Sequence, residues 1–168
     1  MKYSDIYRLY STSQPKDAIH QALREVPVDD SDEQYEDRSP LHLACQYGDT
    51  EGVKILLERD AEPNTKDANG STPIHILGRT SAGCADEDKL KEIAVVLMEH
   101  GANIPRSAKN TTALIECVRN RHFKMAEAII NSGTRVNSTD LNGENVLFGF
   151  CAASGDIRRD IRFAKKEL

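Results

Sequence analysis

The stretch that decides the fold runs from Arg38 to Asp67 and reads RSPLHLACQYGDTEGVKILLERDAEPNTKD. Its opening Ser39-Pro40 predicts a helix start, because a hydroxyl side chain can cap orphan amides and proline suits the first helical position. The short run Leu41-His42-Leu43-Ala44-Cys45 follows, and Gly48 predicts its end. A second apolar cluster, at Val53 and 55–57, predicts a helix with one wide apolar face. The stretch therefore predicts a helix–turn–helix pair.

The same pattern returns further along the chain. A second copy is STPIHILGRT at 71–80 followed by KLKEIAVVLMEHGANIP at 89–105, and a third is TTALIECVRNRHFKMAEAIINSGTRVNSTD at 111–140. A weaker fourth copy begins with GENVLFGFC at 143–151. When Pro40, Pro73, Ala113 and Val146 are aligned, the steps between copies are 33, 40 and 33 residues. The added segment SAGCADED, Ser81–Asp88, suits a loop, and together with the loss of one residue from the following loop it accounts for the longer middle step.

A 33-residue period opening with Ser-Pro-Leu-His or Thr-Pro-Ile-His resembles the ankyrin repeat. The resemblance covers roughly residues 37–155 and implies an all-α solenoid of stacked helix pairs with projecting β-hairpin-like loops. We expect one continuous domain. It would comprise an N-terminal helical cap at 1–36 and repeats at about 37–66, 67–107, 108–139 and 140–168, the last with a degenerate C-terminal cap. Asp67-Ala68-Asn69-Gly70 is the turn sequence expected at a hairpin tip.

Composition and charge favour an ordinary soluble domain. The 168 residues carry a formal net charge of −5, so no global basic field favours nucleic acid or acidic membranes. The basic C-terminal segment 158–166 is interleaved with acids and fits a charged cap. No apolar run resembles a signal peptide or a membrane span. The four cysteines form no CxxC pair, so we expect reduced thiols in a cytoplasmic protein.

The residues that could carry chemistry also have structural interpretations. His42 and Cys45 stand at i and i+3, but two ligands do not complete a zinc site, and the resemblance implies that His42 and His75 tie neighbouring loops together. Cys45 and Cys117 suit small core positions, whereas Cys84 falls in the predicted loop beside acids that would raise its thiol pKa. The acidic runs 29–33 and 86–88 fit solvated loops and could attract a basic partner.

No catalytic motif is present, so we expect a non-enzymatic chain without metal or cofactor, monomeric when free. The resemblance implies a protein-interaction module whose concave face, built from the ends of the first helices and the hairpin tips, binds a protein partner. The predicted binding residues are Gln46, Tyr47, Asn69, Ser71, Arg79, Thr80, Lys109, Arg119 and Asn120. One alternative is a scaffolding subunit of a larger assembly that makes contact through Val146, Phe148 and Phe150. A second is the N-terminal ankyrin part of a longer protein.

Overall fold

The computed structural model describes residues 1–80, 86–104 and 112–133. In these ranges the chain forms eight α-helices and one 3-10 turn. The elements are α1 (Tyr3–Ser11), α2 (Lys16–Glu25), the 3-10 turn (Glu33–Tyr35), α3 (Pro40–Gln46), α4 (Thr50–Glu58), α5 (Pro73–Gly78), α6 (Glu87–Glu99), α7 (Ala113–Arg119) and α8 (Phe123–Asn131).

The helices stack as pairs, which confirms the predicted all-helical solenoid. The first helices of the pairs pack in the order α1, α3, α5 and α7, and the second helices pack in the order α2, α4, α6 and α8. The segment expected to be a simple cap is itself a helix pair, since α1 packs on α3 and α2 packs on α4. Each helix therefore covers the apolar face of the helix before it in its own row.

One continuous apolar core runs through the described pairs. Leu41, Leu56, Leu77, Leu97 and Leu114 are all completely buried in it. A fully buried leucine contributes about 1.5–3 kcal/mol by leaving water, so the stack is stabilised chiefly by aliphatic burial between pairs. The scarcity of aromatic residues is consistent with this packing.

Two glycines stand where the sequence predicts sharp turns. Gly48, directly after α3, has a φ of 60°, and Gly70, in the loop before α5, has a φ of 67°. Side chains are disfavoured in this left-handed region, whereas glycine adopts it freely. Gly48 lets the chain reverse between α3 and α4, and Gly70 shapes the tip of the loop.

The loop before α5 is hairpin-like. The Asp67 amide donates to the Ser71 carbonyl at 2.9 Å, and the Asp67 carboxylate accepts the amides of Asn69 and Ser71 at 2.9 and 2.8 Å. The Ala68 amide donates to the Glu36 carbonyl in the preceding loop at 2.8 Å. The turn predicted at 67–70 is confirmed, and it is tied to the loop of the repeat before it.

The N-terminal pair is fastened to α4 by two polar residues. The buried Asp49 carboxylate accepts the Tyr10 hydroxyl at 2.8 Å and lies 3.0 Å from His20 Nε2. At the other end of α4, the Arg59 guanidinium donates to the carbonyls of Leu23 and Val26. These carbonyls lie at the C-terminus of α2, where no further helical amide is available to satisfy them.

Gly52 is where the backbone of α4 comes closest to the N-terminal pair. A Cβ atom there would lie 2.6 Å from Asp49 Oδ2 and 2.9 Å from both Leu23 Cδ1 and the Tyr10 hydroxyl. Alanine improves helix propensity by about 1 kcal/mol, but overpacking costs about 1–3 kcal/mol, and three contacts below 3.0 Å place Gly52 at the upper end, about 2–3 kcal/mol. We expect Gly52→Ala to lower the free energy of unfolding by about 1–2 kcal/mol in urea denaturation.

The matched control combines Gly52→Ala with Tyr10→Phe. Removing the Tyr10 hydroxyl eliminates one of the three short contacts, so Gly52→Ala is expected to cost less in this background. A Gly52→Ala protein as stable as the original would show that α4 can move away without loss, contrary to the close packing described here.

Candidate functional site

Six of the predicted binding residues lie in two rows at the ends of the first helices. In the repeat alignment, Gln46, Arg79 and Arg119 occupy one position, which we call the first row. The residues that follow them, Tyr47, Thr80 and Asn120, form the second row. Gln46, Arg79 and Arg119 are all half-buried, which leaves part of each side chain accessible. We call these three residues, together with the hairpin tip Ala68-Asn69, the first-helix face.

Within each repeat, the first row is tied to the residue that lies two places before the helix. The Arg38 guanidinium donates to Gln46 Oε1 at 2.8 Å, and the Arg79 guanidinium donates to Ser71 Oγ at 2.7 Å. Each pair joins residues eight positions apart. The arginine precedes the first helix in one repeat (Arg38) and follows it in the next (Arg79). The hairpin and the end of the first helix are therefore cross-linked in both repeats.

Arg79 also reaches the next repeat. Its Nε atom lies 3.2 Å from Glu116 Oε1 on α7, with the Arg79 and Glu116 side chains 25% and 13% exposed. Because both groups are only partly solvated, this ion pair orients the guanidinium more firmly than a pair on an open surface would. Arg79 is thus a positioned cation shared by α5 and α7.

The second row joins repeats to one another. The Tyr47 ring stacks on the Tyr10 ring of the N-terminal pair, with centroids 4.8 Å apart and planes 10° apart. Thr80 Oγ1 lies 3.4 Å from the Cys45 carbonyl oxygen, and Asn120 Nδ2 donates to the Gly78 carbonyl at 3.1 Å. Each side chain at this position contacts the preceding pair.

Two of the predicted contact residues are not available to a partner. Ser71 and Thr80 are 0% and 4% exposed, and their hydroxyls are engaged with Arg79 and with carbonyls inside the stack. The prediction that they contact a partner is corrected: they support the surface from below. Asn69 is half-buried at the hairpin tip beside the exposed Ala68.

Several residues that the sequence singled out lie outside the described ranges. They are Cys84, Lys109, Val146, Phe148, Phe150, the fourth repeat and the basic C-terminal segment. The part of the insert that the structure does describe begins α6, where Asp86 Oδ1 accepts the Lys89 amide at 2.9 Å. Asp86 is thus a helix cap rather than part of a free acidic loop.

His42 has the loop-tying role that the resemblance implies. Its Nδ1 accepts the Ser39 amide at 3.1 Å, so the proton resides on Nε2, which donates to the Ser71 carbonyl at 3.0 Å. Burial lowers the pKa of His42 to about 4, since the charged ring would be desolvated. The second motif histidine, His75, likewise has its Nδ1 beside the Thr72 amide, at 3.3 Å.

The described thiols are core residues. Cys45 and Cys117 are both 0% exposed, and burial raises the pKa of each thiol well above its ordinary value. A buried neutral thiol is a poor nucleophile. Across the described ranges, no group of three or more His, Cys, Asp or Glu side chains is arranged to hold a metal ion.

Sequence reasoning missed Arg38 and Glu116, which position the first row. Arg38 stands two residues before Pro40, as Ser71 stands two residues before Pro73, so the alignment could have revealed this shared position. No such signal marks Glu116, because the residues aligned with it are Leu43 and Ile76. Its role is visible only once α5 and α7 pack together.

Comparison with known proteins identifies the class. Residues 22–77 match the family model for ankyrin repeats (many copies), so the chain contains ankyrin repeats. One relative is the Caenorhabditis elegans homolog of transient receptor potential cation channel subfamily A member 1, 38% identical over 69 residues. That alignment covers 41% of this chain and 6% of the relative.

A second relative is human neurogenic locus notch homolog protein 1, which is 33% identical over 108 residues. The alignment covers 64% of this chain but 4% of that protein, so this chain spans only a small part of its curated relatives. No helix in the described ranges is long and apolar enough to cross a membrane.

Proposed function

We propose that this chain is a non-catalytic protein-binding module that holds its partner on the first-helix face. Ankyrin repeats are in general protein-interaction modules, and the particular face is the step that we add. The observation that carries the proposal is the half-buried Arg79, held between Ser71 and Glu116 with part of its side chain still accessible. An arginine whose rotamer is already fixed loses little entropy when a partner binds.

The neighbouring residues support the same face. Gln46 is held by Arg38 of the same repeat, and the hairpin tip at Ala68-Asn69 is braced by Asp67. Such pre-organisation favours recognition of a folded surface, because few groups need to be ordered on binding. Tyr47 and Asn120 brace this face from the adjoining row through their contacts with the preceding pairs.

The test uses a substitution that blocks the face without removing a described contact. Ala68 is exposed and only its backbone amide is engaged, so Ala68→Arg adds a long charged side chain at the hairpin tip. Immobilised original and variant proteins would capture partners from a lysate of the native cells. Each captured protein would then be purified and titrated against both forms.

We expect Ala68→Arg to weaken partner binding at least about tenfold, equivalent to about 1.4 kcal/mol. The matched control is Ala18→Arg, which makes the same change at an exposed position of α2, in the row of second helices. Circular dichroism would confirm equal helicity. A partner retained by Ala68→Arg and lost by Ala18→Arg would contradict the proposal and assign binding to the second helices.

A further inference from the structure

A groove lies at the N-terminal end of the described stack, where α1 meets the 3-10 turn. It has a volume of about 410 Å³ and is lined by Ser4, Asp5, Tyr7, Arg8, Ser11 and Tyr35. The Tyr7 and Tyr35 rings have centroids 4.2 Å apart, with Tyr3 buried behind them at 5.7 Å from Tyr35. Tyr7 and Tyr35 are each half-buried, so part of both rings is exposed to solvent.

The segment that carries Tyr35 is strongly acidic. Residues 29–37 read DDSDEQYED and contain six carboxylates and no base. Asp5 adds a carboxylate to the groove lining, where Arg8 is the single base. The nearby Arg38 is already engaged by Glu36 and Gln46. The surroundings of the two rings are therefore negative overall.

One of these acids ties the acidic segment to α1, and another braces the segment internally. Asp30 accepts the Tyr3 amide at 2.6 Å, and Asp32 accepts the Gln34 amide at 2.9 Å at the start of the 3-10 turn. By contrast, Asp29, Glu33 and Asp37 are exposed and make no side-chain hydrogen bond or ion pair to other described residues. Three exposed carboxylates without a side-chain partner among the described residues thus lie on the loop next to the part-exposed rings of Tyr7 and Tyr35.

We propose that this groove, which we call the tyrosine groove, binds an arginine- or lysine-bearing segment of a partner protein. Aromatic faces attract guanidinium and ammonium groups, and surrounding carboxylates strengthen that attraction. An acidic peptide or a nucleic acid would be repelled by the same carboxylates. The tyrosine groove shares no lining residue with the first-helix face, but the hairpin tip at Ala68 is hydrogen-bonded to Glu36 beside Tyr35, so one chain would hold a partner at two neighbouring places.

The test measures fluorescence anisotropy of a short fluorescein-labelled peptide of alternating arginine and glycine, titrated with the full chain. The same peptide with glutamate in place of arginine is the probe control. We expect saturable binding of the arginine peptide alone, weakening as salt is raised, because exposed charges are screened. Equal binding of both peptides would overturn the proposal.

One variant separates the aromatic groove from simple charge attraction. Tyr35→Leu removes one ring and leaves every carboxylate in place, and we expect it to weaken peptide binding about fivefold. Thermal unfolding checks that the variant is folded, and Tyr7→Leu repeats the test from the other side of the pair. If both folded variants bind as tightly as the original, the groove is not the site.

A second set tests the carboxylates. The triple variant Asp29→Asn, Glu33→Gln, Asp37→Asn is expected to weaken binding about tenfold at low salt. The control Glu58→Gln, Asp60→Asn, Glu99→Gln removes the same charge from exposed positions at the end of α4, just after α4 and at the end of α6, and should change binding less than about twofold. Equal losses in the two triples would contradict the proposal.

The first-helix face is tested independently of this groove. Arg119→Ala, which changes that face on α7, away from the acidic segment, should leave the affinity for the arginine peptide unchanged within about twofold. If it abolishes peptide binding, the peptide occupies the first-helix face, and the tyrosine groove is excluded. A result that excludes one of the two sites therefore leaves the proposal for the other site standing.

Discussion

Replacing Asp49 by alanine is expected to lower the free energy of unfolding by about 3 kcal/mol. The substitution leaves the Tyr10 hydroxyl, donated at 2.8 Å, without its acceptor, and it removes the carboxylate 3.0 Å from His20 Nε2. The Asp49 side chain is only 4% exposed, so water cannot easily take its place. Urea denaturation of the original and variant proteins measures the loss.

One control variant and one further measurement divide this loss. Tyr10→Phe removes the hydroxyl donor but leaves His20 and Lys16 beside Asp49, and we expect it to cost about half as much. Hydrogen exchange should show that Asp49→Ala exposes α1 and α2 before the other helices, because stability in stacked repeats is a sum of neighbouring interfaces. A variant whose helices all lose protection equally would contradict the assignment of Asp49 to this interface.

Stability is expected to fall as the pH is lowered from about 6.5 to about 4, and His42 is a main cause. The pKa of His42 falls from 6.5 to about 4 on folding, so between these values the unfolded chain binds a proton that the folded chain excludes. The contribution of His42 is complete above pH 6.5 and is lost through this window. A shift of this size corresponds to about 3 kcal/mol.

The matched variant is His42→Gln, whose amide can still donate to the Ser71 carbonyl but does not titrate. We expect it to be less stable than the original at pH 7 and to lose less stability on acidification, with the slopes differing by up to about 1.4 kcal/mol per pH unit. Other acidic and basic groups titrate in both proteins and cancel in the difference. Parallel curves would show that the His42 pKa is not lowered.

Much of the fold can be predicted from the sequence because each helix pair carries local sequence signals for its own start, turn and apolar face. Proline at the helix start, glycine at Gly48 and Gly70, and apolar clusters at helical spacing are local signals that need no tertiary context. The histidine of the repeat motif was also interpreted correctly, since its partner, the Ser71 carbonyl, is set by the repeat geometry.

The surface was harder to predict, because repeat position does not fix exposure. Thr80 was placed on the binding face by its position after α5, yet that position faces the preceding pair and carries Tyr47 and Asn120 in the same role. The Asp49 cluster was also missed. Its partners Tyr10 and His20 are 39 and 29 residues away, in a segment without the repeat motif.

The way in which helices pack only on neighbouring pairs also bears on how quickly the chain can fold. The hydrogen bonds among the described residues join positions at most 42 apart, as between Asn120 Nδ2 and the Gly78 carbonyl and between His122 Nε2 and the Thr80 carbonyl. Proteins with such a low contact order fold fast, because no long loop must close before native contacts form. During synthesis, each helix pair can fold on the pair before it as soon as about one repeat of further chain has been made.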